Sequence, residues 1–314
     1  MPEALRASRR TAHHYTTPPM SLLNTLRFIL DHPLNRADRL GSVRRFIAWQ
    51  TGSRLVPGPV AVEFVEGTRL LVSPGQAGAT GNIYTGLHEL AEMAFVLHML
   101  RRDDLFADIG ANIGSYTVLA AGAAGARVVA FEPGARAYRT LCDNVRLNDL
   151  ASLVETRNEA VGAMAGETAF TQSEDTLNRV ALPFDNVSST QVAMTTLDAA
   201  LAGRIPTVIK IDVEGYESSV IEGASSTLGS PGLQAVIMET NGSGARYSSS
   251  DAELHEKMIE NGLNAFSYDA FSRTILPSAG PSTDGNTIYI RDADFASRRL
   301  EAARKFSIAG HGFL

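Results

Sequence analysis

Cysteine is almost missing from this 314-residue chain: Cys142 stands alone, so neither an intrachain disulfide nor a thiolate metal cluster can form, and a reducing compartment fits. Long apolar runs are missing too. No stretch approaches the roughly 18 residues needed to span a bilayer, and residues 20–30 are interrupted by Asn24 and Arg27. The first 19 residues hold Arg6, Arg9 and Arg10 with no apolar segment behind them, which reads as a disordered basic tail rather than a secretory signal. Such an arginine-rich, acid-poor start also resembles an organelle transit peptide. A cytoplasmic location is the expectation.

What is present is ordinary for a soluble globular protein: 44% hydrophobic and 20% charged residues. The length suits one large α/β domain with an attached piece. Charge is unevenly spread. Residues 1–50 hold eight arginines against Glu3, Asp31 and Asp38, a local +5, so the rest of the chain carries −11 within a total of −6. An asymmetry of that kind marks either a solvated helix face or a surface for an anionic partner.

Two helices are expected first, over 21–30 and 36–50, followed by β-rich runs at 60–65 and 68–72 around Glu66-Gly67, a hairpin. A helix over 88–101 places Leu90, Met93, Ala94 and Leu97 on one face. Strands at 105–109, 127–131 and 153–157 then alternate with helices at 115–122 and 135–148, implying right-handed crossovers and a parallel sheet. Residues 162–195 break this rhythm and read as an insertion over the sheet edge, with β-like pieces at 167–171 and 191–195 around the polar stretch 172–178. Alternation resumes with helix 197–201, strand 207–211, helix 216–228 and strand 235–238. Helix 251–261 and strands at 265–268, 273–276 and 287–290 end the sheet as an antiparallel hairpin.

The first parallel strand ends in Asp108-Ile-Gly-Ala-Asn-Ile-Gly114. Gly110 and Gly114 let backbone approach a ligand closely, and Asn112 tolerates a left-handed turn better than other non-glycine residues. The next strand ends in Phe131-Glu132-Pro133, where a carboxylate can accept hydrogen bonds from two ribose hydroxyls. Ligands of open α/β sheets sit beyond the carboxyl ends of the strands, where both features lie. A nicotinamide or flavin dinucleotide needs G-x-G-x-x-G to seat its pyrophosphate. Asn112 and Ser115 occupy the second and third glycine positions, so a sulfonium nucleoside fits better.

These segments, with Asn144-Val-Arg-Leu-Asn148, Thr196-Leu-Asp and the run from Ile209-Lys-Ile-Asp-Val-Glu-Gly-Tyr to Ala224, resemble the FkbM-type methyltransferases. The likeness covers roughly residues 82–242, and Tyr84, Gly86 and Glu89 match the family's lead-in helix. It implies a Class I Rossmann-like fold, a mostly parallel seven-stranded sheet with helices on both faces and an N-terminal helical and β cap. It also implies S-adenosylmethionine as methyl donor and O-methylation of a sugar, glycolipid or secondary metabolite. Carried over, Asp108, Gly110, Asn112 and Gly114 line the methionine side, Glu132 meets the ribose, and Glu159-Ala160 the adenine. Glu159-Ala160 departs from the usual small-residue-plus-acid pattern at that point.

Methyl transfer is an in-line displacement, so positioning comes first and a general base second. Lys210, Asp212 and Glu214 alternate at the end of strand 207–211, and period-2 geometry can point all three one way. Buried charge demands a partner, so a structural Lys210–Asp212 ion pair is the plainer reading; the functional one makes Asp212 the base or hydroxyl anchor and Lys210 its orienter. Glu239 closes the neighbouring apolar strand with Asn241 beside it, and Asp212 with Glu239 can hold Mg²⁺ through oxygen ligands, although capping explains these residues as well. Glu89 can grip the methionine ammonium or favour its helix N-terminus. His88, Glu214, Tyr216 and Asn241 are candidates for the acceptor site. His98 and Trp49 read as core residues.

The expected organisation is a tail over 1–19, a cap over 20–81, a catalytic domain over 82–295 and a C-terminal helix or tail over 296–314. A small-molecule or glycan acceptor is expected, with no nucleic acid favoured, no transmembrane segment and a homodimer allowed. The alternatives are a dinucleotide-dependent oxidoreductase, a methyltransferase-fold binding protein without catalysis, and a nucleic-acid methyltransferase using the basic first 50 residues.

Overall fold

The computed structural model describes residues 22–314 apart from 57, 173–177, 183, 184, 186, 283 and 284. The basic tail at 1–19 and most of the polar stretch at 172–178 lie outside the described residues. Two N-terminal helices, α1 (Leu22–Asp31) and α2 (Arg39–Leu55), precede a hairpin of β1 (Val60–Glu63) and β2 (Arg69–Val72). Asp38 caps α2 by accepting from the Gly41 N–H at 2.8 Å. Ile29, Phe46 and Trp49 belong to the same buried cluster as Phe106 and Leu119, so these helices complete the main core.

The region expected as one helix over 88–101 begins earlier and in two pieces, α3 (Ala77–Thr85) and α4 (Leu90–Met99). The α/β alternation follows: β3 (Leu105–Ile109), α5 (Ser115–Val118), β4 (Arg127–Phe131), α6 (Ala135–Leu147) and β5 (Val154–Arg157). The insertion folds as its own three-stranded sheet, β6 (Ala160–Val161), β7 (Gly166–Thr171) and β8 (Ser189–Thr195), with β8 in the middle. After α7 (Leu197–Leu201) come β9 (Val208–Ile211), α8 (Glu217–Glu222), α9 (Ser225–Gly229) and β10 (Ala235–Thr240). The helix expected over 216–228 is thus broken, and the break falls at Gly223-Ala224. Next are α10 (Asp251–Glu260), β11 (Asn264–Asp269), β12 (Thr274–Pro277), β13 (Gly285–Ile290) and α11 (Ala293–Glu301). A last hairpin, β14 (Ser307–Ile308) with β15 (Gly312–Phe313), returns to the N-terminal one through Val65 and Ile308.

The main sheet has eight strands in the order β12-β11-β13-β10-β9-β3-β4-β5, one more than the seven that the family resemblance implies, and each of the eight, the edge strand β12 included, falls on a run read as a strand from the sequence. Strands β5, β4, β3, β9 and β10 are parallel, and β13 inserts antiparallel between β10 and β11. Side chains alternate between two cores. Ala107, Ile109, Ile209, Ile211, Val236 and Met238 face one, while Phe106, Val208, Ala235 and Ile237 face the other. Along this second face each strand turns from apolar to charged toward its carboxyl end: Phe106 gives way to Asp108, Val208 to Lys210, and Ile237 to Glu239. Asp108 and Lys210 are register partners on adjacent strands. No helix among the described residues is long and apolar enough to cross a membrane.

Candidate active site

The strand ends open into a cavity of about 650 Å³. Its wall includes His88, Glu89, Asp108, Gly110, Asn112, Glu132, Glu159, Ala160, Lys210, Asp212, Glu214, Tyr216 and Glu239. The glycine turn is built by left-handed backbone at Gly110 (φ +82°), Asn112 (φ +51°) and Gly114 (φ +88°). At Gly110 a Cβ would stand 1.8 Å from the Asp212 carbonyl oxygen, so glycine is what lets the turn lie against the end of β9. Gly114 stands outside the wall, and a Cβ there would strike Leu141 Cδ1 at 2.5 Å, so this glycine serves the packing of α6. Asn241 is also outside: its amide donates to Glu239 Oε1 at 2.7 Å and its carbonyl accepts from the Ser243 N–H at 2.9 Å.

Glu132 is buried, with Oε2 accepting from the Asn112 N–H (2.8 Å) and Oε1 from the Gly134 N–H (2.7 Å). Two backbone donors fix its plane and leave lone pairs for further donors. Burial pushes its pKa up to about 7, against the pull of those N–H groups. Asp108 accepts from Thr117 Oγ1 at 2.6 Å and is raised by burial to about 6. Glu159 turns toward Arg157, 3.6 Å away, and Asn158 donates to the Glu132 carbonyl at 2.8 Å, tying the end of β5 to the end of β4.

The second half of the cavity is built around Lys210, which is buried, pairs with Asp212 and lies 4.7 Å from the centroid of the Tyr116 ring. Burial would lower the Lys210 pKa, yet Asp212 and Glu89 outweigh it and the net direction is upward, so the ammonium keeps its charge. Tyr116 donates to Glu89 Oε2 at 2.6 Å, and Asn286 of β13 donates to Glu89 Oε1 at 2.9 Å. For Glu89 burial raises the pKa, but Lys210 and the Tyr116 hydroxyl prevail and the net shift is downward. His88 has its pKa lowered by burial and packs edge-on to Phe28.

Asp212, Glu214 and Glu239 bring one oxygen each within 4.8 Å of the others. Glu214 takes a left-handed φ of +57°, unusual for its type, at the strand end beside Gly215. Burial first, then the neighbouring carboxylates, pushes Glu214 up to about 8 and Glu239 up to about 10. Three oxygen donors in this spacing suit a hard divalent cation.

Sequence reasoning named neither Tyr116, Asn286 nor Glu217, whose carboxylate accepts from the Gly215 N–H at 3.1 Å and Val213 N–H at 3.2 Å. Tyr116 had a signal, since it opens the helix just after the glycine turn. Asn286 had none: it reaches the site only because β13 runs antiparallel beside β10, opposite Glu239.

Comparison with known proteins places residues 108–264, half of the chain, on the model of the methyltransferase FkbM domain. The hexuronic acid methyltransferase AglP of Haloferax volcanii is 28% identical over 147 residues, covering 46% of this chain and 59% of that protein. The crystal structure of the methyltransferase FkbM from Methylobacillus flagellatus KT is similar at 16% identity and a TM-score of 0.44, covering 79% of this chain and 59% of that one. That of precorrin 8w decarboxylase from Methanobacterium thermoautotrophicum is similar at 15% identity and a TM-score of 0.39, covering 65% and 90%. The chain thus spans 59% of the length of each of the first two relatives.

Proposed function

Because this chain belongs to the FkbM methyltransferase family, and is a methyltransferase, we propose that it transfers the methyl group of S-adenosylmethionine to a hydroxyl of a sugar-type acceptor. The donor fits the first half of the cavity on its own chemistry. Bare backbone at Gly110 and Asn112, with Asp108 beneath, suits the methionine part; the fixed Glu132 carboxylate suits two vicinal hydroxyls; Glu159 and Ala160 border the remaining space for the base. Glu89 stands where an ammonium can meet it, already oriented by Tyr116 and Asn286. When bound, S-adenosylmethionine supplies a methyl carbon made electrophilic by its sulfonium.

The observation that carries the acceptor half is the Lys210–Asp212 pair directly behind Gly110. Lys210 is held by the Tyr116 ring and holds the Asp212 carboxylate in one orientation. Asp212 would take the proton of the acceptor hydroxyl as that oxygen is methylated, a general-base contribution worth roughly 10² to 10⁴ in rate. Burial and their mutual proximity keep Glu214 and Glu239 protonated near neutral pH while Asp212 pairs with Lys210, so this end of the cavity offers hydrogen-bonding carboxyl groups to an uncharged hydroxyl. Tyr216 and His88 border the same space as contacts for the acceptor. Mg²⁺ at Asp212, Glu214 and Glu239 would add a second way to hold the acceptor oxygen, through direct coordination.

The reading is tested by incubating the protein with methyl-labelled S-adenosylmethionine and a panel of neutral, amino and uronic sugars, free and lipid-linked, and locating the label by mass spectrometry. Label on a hydroxyl oxygen supports it. Label on nitrogen or carboxyl oxygen, or on no acceptor class, overturns it. Loss of transfer in chelator that Mg²⁺ restores assigns the metal, and unchanged transfer leaves Lys210 as the cation of the site.

A further inference from the structure

Helix α2 has one side that the core leaves bare. Ser42, Phe46 and Trp49 point inward, and Arg45 turns in with them to meet Asn35 and His311, each at 2.9 Å. On the outward side Leu40, Ile47 and Leu55 are 81%, 54% and 81% exposed. Helical periodicity puts Leu40 and Ile47 in one line, two turns apart, with Arg44, Thr51, Arg54 and Leu55 flanking that line. Leu22 and Leu23 of the neighbouring α1 are exposed as well. Single apolar side chains on a surface are common, but a row of aliphatics along one helix marks a face with a partner.

The charge says which partner. The 17 residues of α2 hold four arginines and no acid, in a chain whose net charge is −6. A second copy of this chain would face the same arginines across a two-fold axis, a like-charge contact. A nucleic acid would use the arginines but gain nothing from Leu40, Ile47 and Leu55, and this face has no aromatic side chain for stacking. A bilayer with anionic headgroups takes both: aliphatic side chains enter the acyl boundary, and arginines lay their stems along it while the guanidinium groups reach phosphate. We infer that the outward face of α2, with Leu40, Ile47 and Leu55 inserted and Arg44 and Arg54 at the headgroups, docks the protein on an anionic lipid surface.

The inference stands on α2 alone and not on the reading of the cavity, but the two are close in the fold. The inward side of α2 packs on α3, with the Phe46 and Tyr84 rings 5.2 Å apart and Gln50 Nε2 donating to the Tyr84 hydroxyl at 2.9 Å. Gly78, Ala79 and Asn82 of α3 belong to the cavity wall.

Co-sedimentation of the full chain with vesicles tests it, using phosphatidylcholine alone and phosphatidylcholine mixed with phosphatidylglycerol. The protein should pellet with the mixed vesicles, stay in solution with the neutral ones, and be released by salt. Ile47→Glu, and separately Arg44→Glu with Arg54→Glu, should each lower partitioning on the order of 10-fold. Both variants should keep the melting temperature and the binding of S-adenosylhomocysteine, since all three positions are exposed. Three results overturn the inference: equal partitioning of Ile47→Glu, indifference to anionic lipid, or a dimer seen by light scattering that Ile47→Glu converts to monomer. Displacement from vesicles by duplex RNA at equal phosphate also counts against it.

Discussion

Replacing Glu239 by glutamine removes one of three carboxylates whose oxygens crowd within 4.8 Å, so it reports directly on the electrostatics of the strand ends. Burial and the neighbouring acids hold Glu239 up to about 10 and Glu214 up to about 8, whereas an unfolded chain releases both protons near 4.5. A raised carboxylate pKa means that the folded state keeps a proton which the unfolded state has lost. Stability from this source is therefore complete below about pH 4.5 and is lost as pH rises toward the folded value. With at least one such proton retained, the loss is about 1.4 kcal/mol per pH unit. For a chain of this size that lowers the melting temperature by about 2 °C per unit. Burial keeps His32 and His98 down at about 4, so they are neutral in both states above pH 7.5 and leave this limb undisturbed. The assay is thermal unfolding from pH 7.5 to 9 in chelator. Wild type should lose stability steadily, while Glu239→Gln should show a flatter profile and be more stable at pH 8 by about 1–2 kcal/mol. A wild-type profile that is flat or rising, or a variant with the same slope, refutes the reasoning.

Three further outcomes follow from the same geometry. Gly110→Ala forces a side chain into left-handed backbone and onto the Asp212 carbonyl, so it should cost at least ~2 kcal/mol in denaturant unfolding and abolish cofactor binding together. Glu132→Ala removes the acceptor fixed by the Asn112 and Gly134 N–H groups; calorimetry should show S-adenosylhomocysteine affinity falling by ~10-fold or more with the fold intact by circular dichroism. Asp212→Asn keeps the shape and removes the base, so labelled-methyl transfer should fall by roughly 10² or more while cofactor affinity changes only a few-fold. Equal losses in transfer and affinity would move Asp212 out of the proton step and into binding.

Much of the scaffold can be read from the chain because buried parallel strands leave short apolar runs bounded by turn residues, as at 105–109, 127–131 and 208–211. That Asp108, Gly110, Asn112 and Glu132 would meet in one cavity was legible for the same reason: Asp108 lies at the end of one strand, and the others follow the strand ends immediately in sequence. Helix α3 was not, since Gly78 and Gly81 argue against a helix; Gly81 is tolerated because His88 Nδ1 stands 2.4 Å from where its Cβ would be. The break at Gly223 sits where a Cβ would run into the Gly162 carbonyl, a contact 61 positions apart in the chain that helical periodicity does not register. Glu89 could be read either as a grip for an ammonium or as a helix-start acid, and only the fold shows it bound by Tyr116 and by Asn286, which is 197 residues away. The bare face of α2 escaped notice because its arginines and leucines alternate within one stripe, which periodicity alone does not separate from a solvated surface.

The central claim is that the cavity at the end of β3, β4 and β9 is built for S-adenosylmethionine and not for a dinucleotide. Isothermal titration of the full chain with S-adenosylhomocysteine, with NAD as comparison, tests it most directly. Saturable binding of one S-adenosylhomocysteine per chain, undiminished by NAD, is the predicted result. Absence of binding to folded protein, or a NAD complex that displaces S-adenosylhomocysteine, would contradict it.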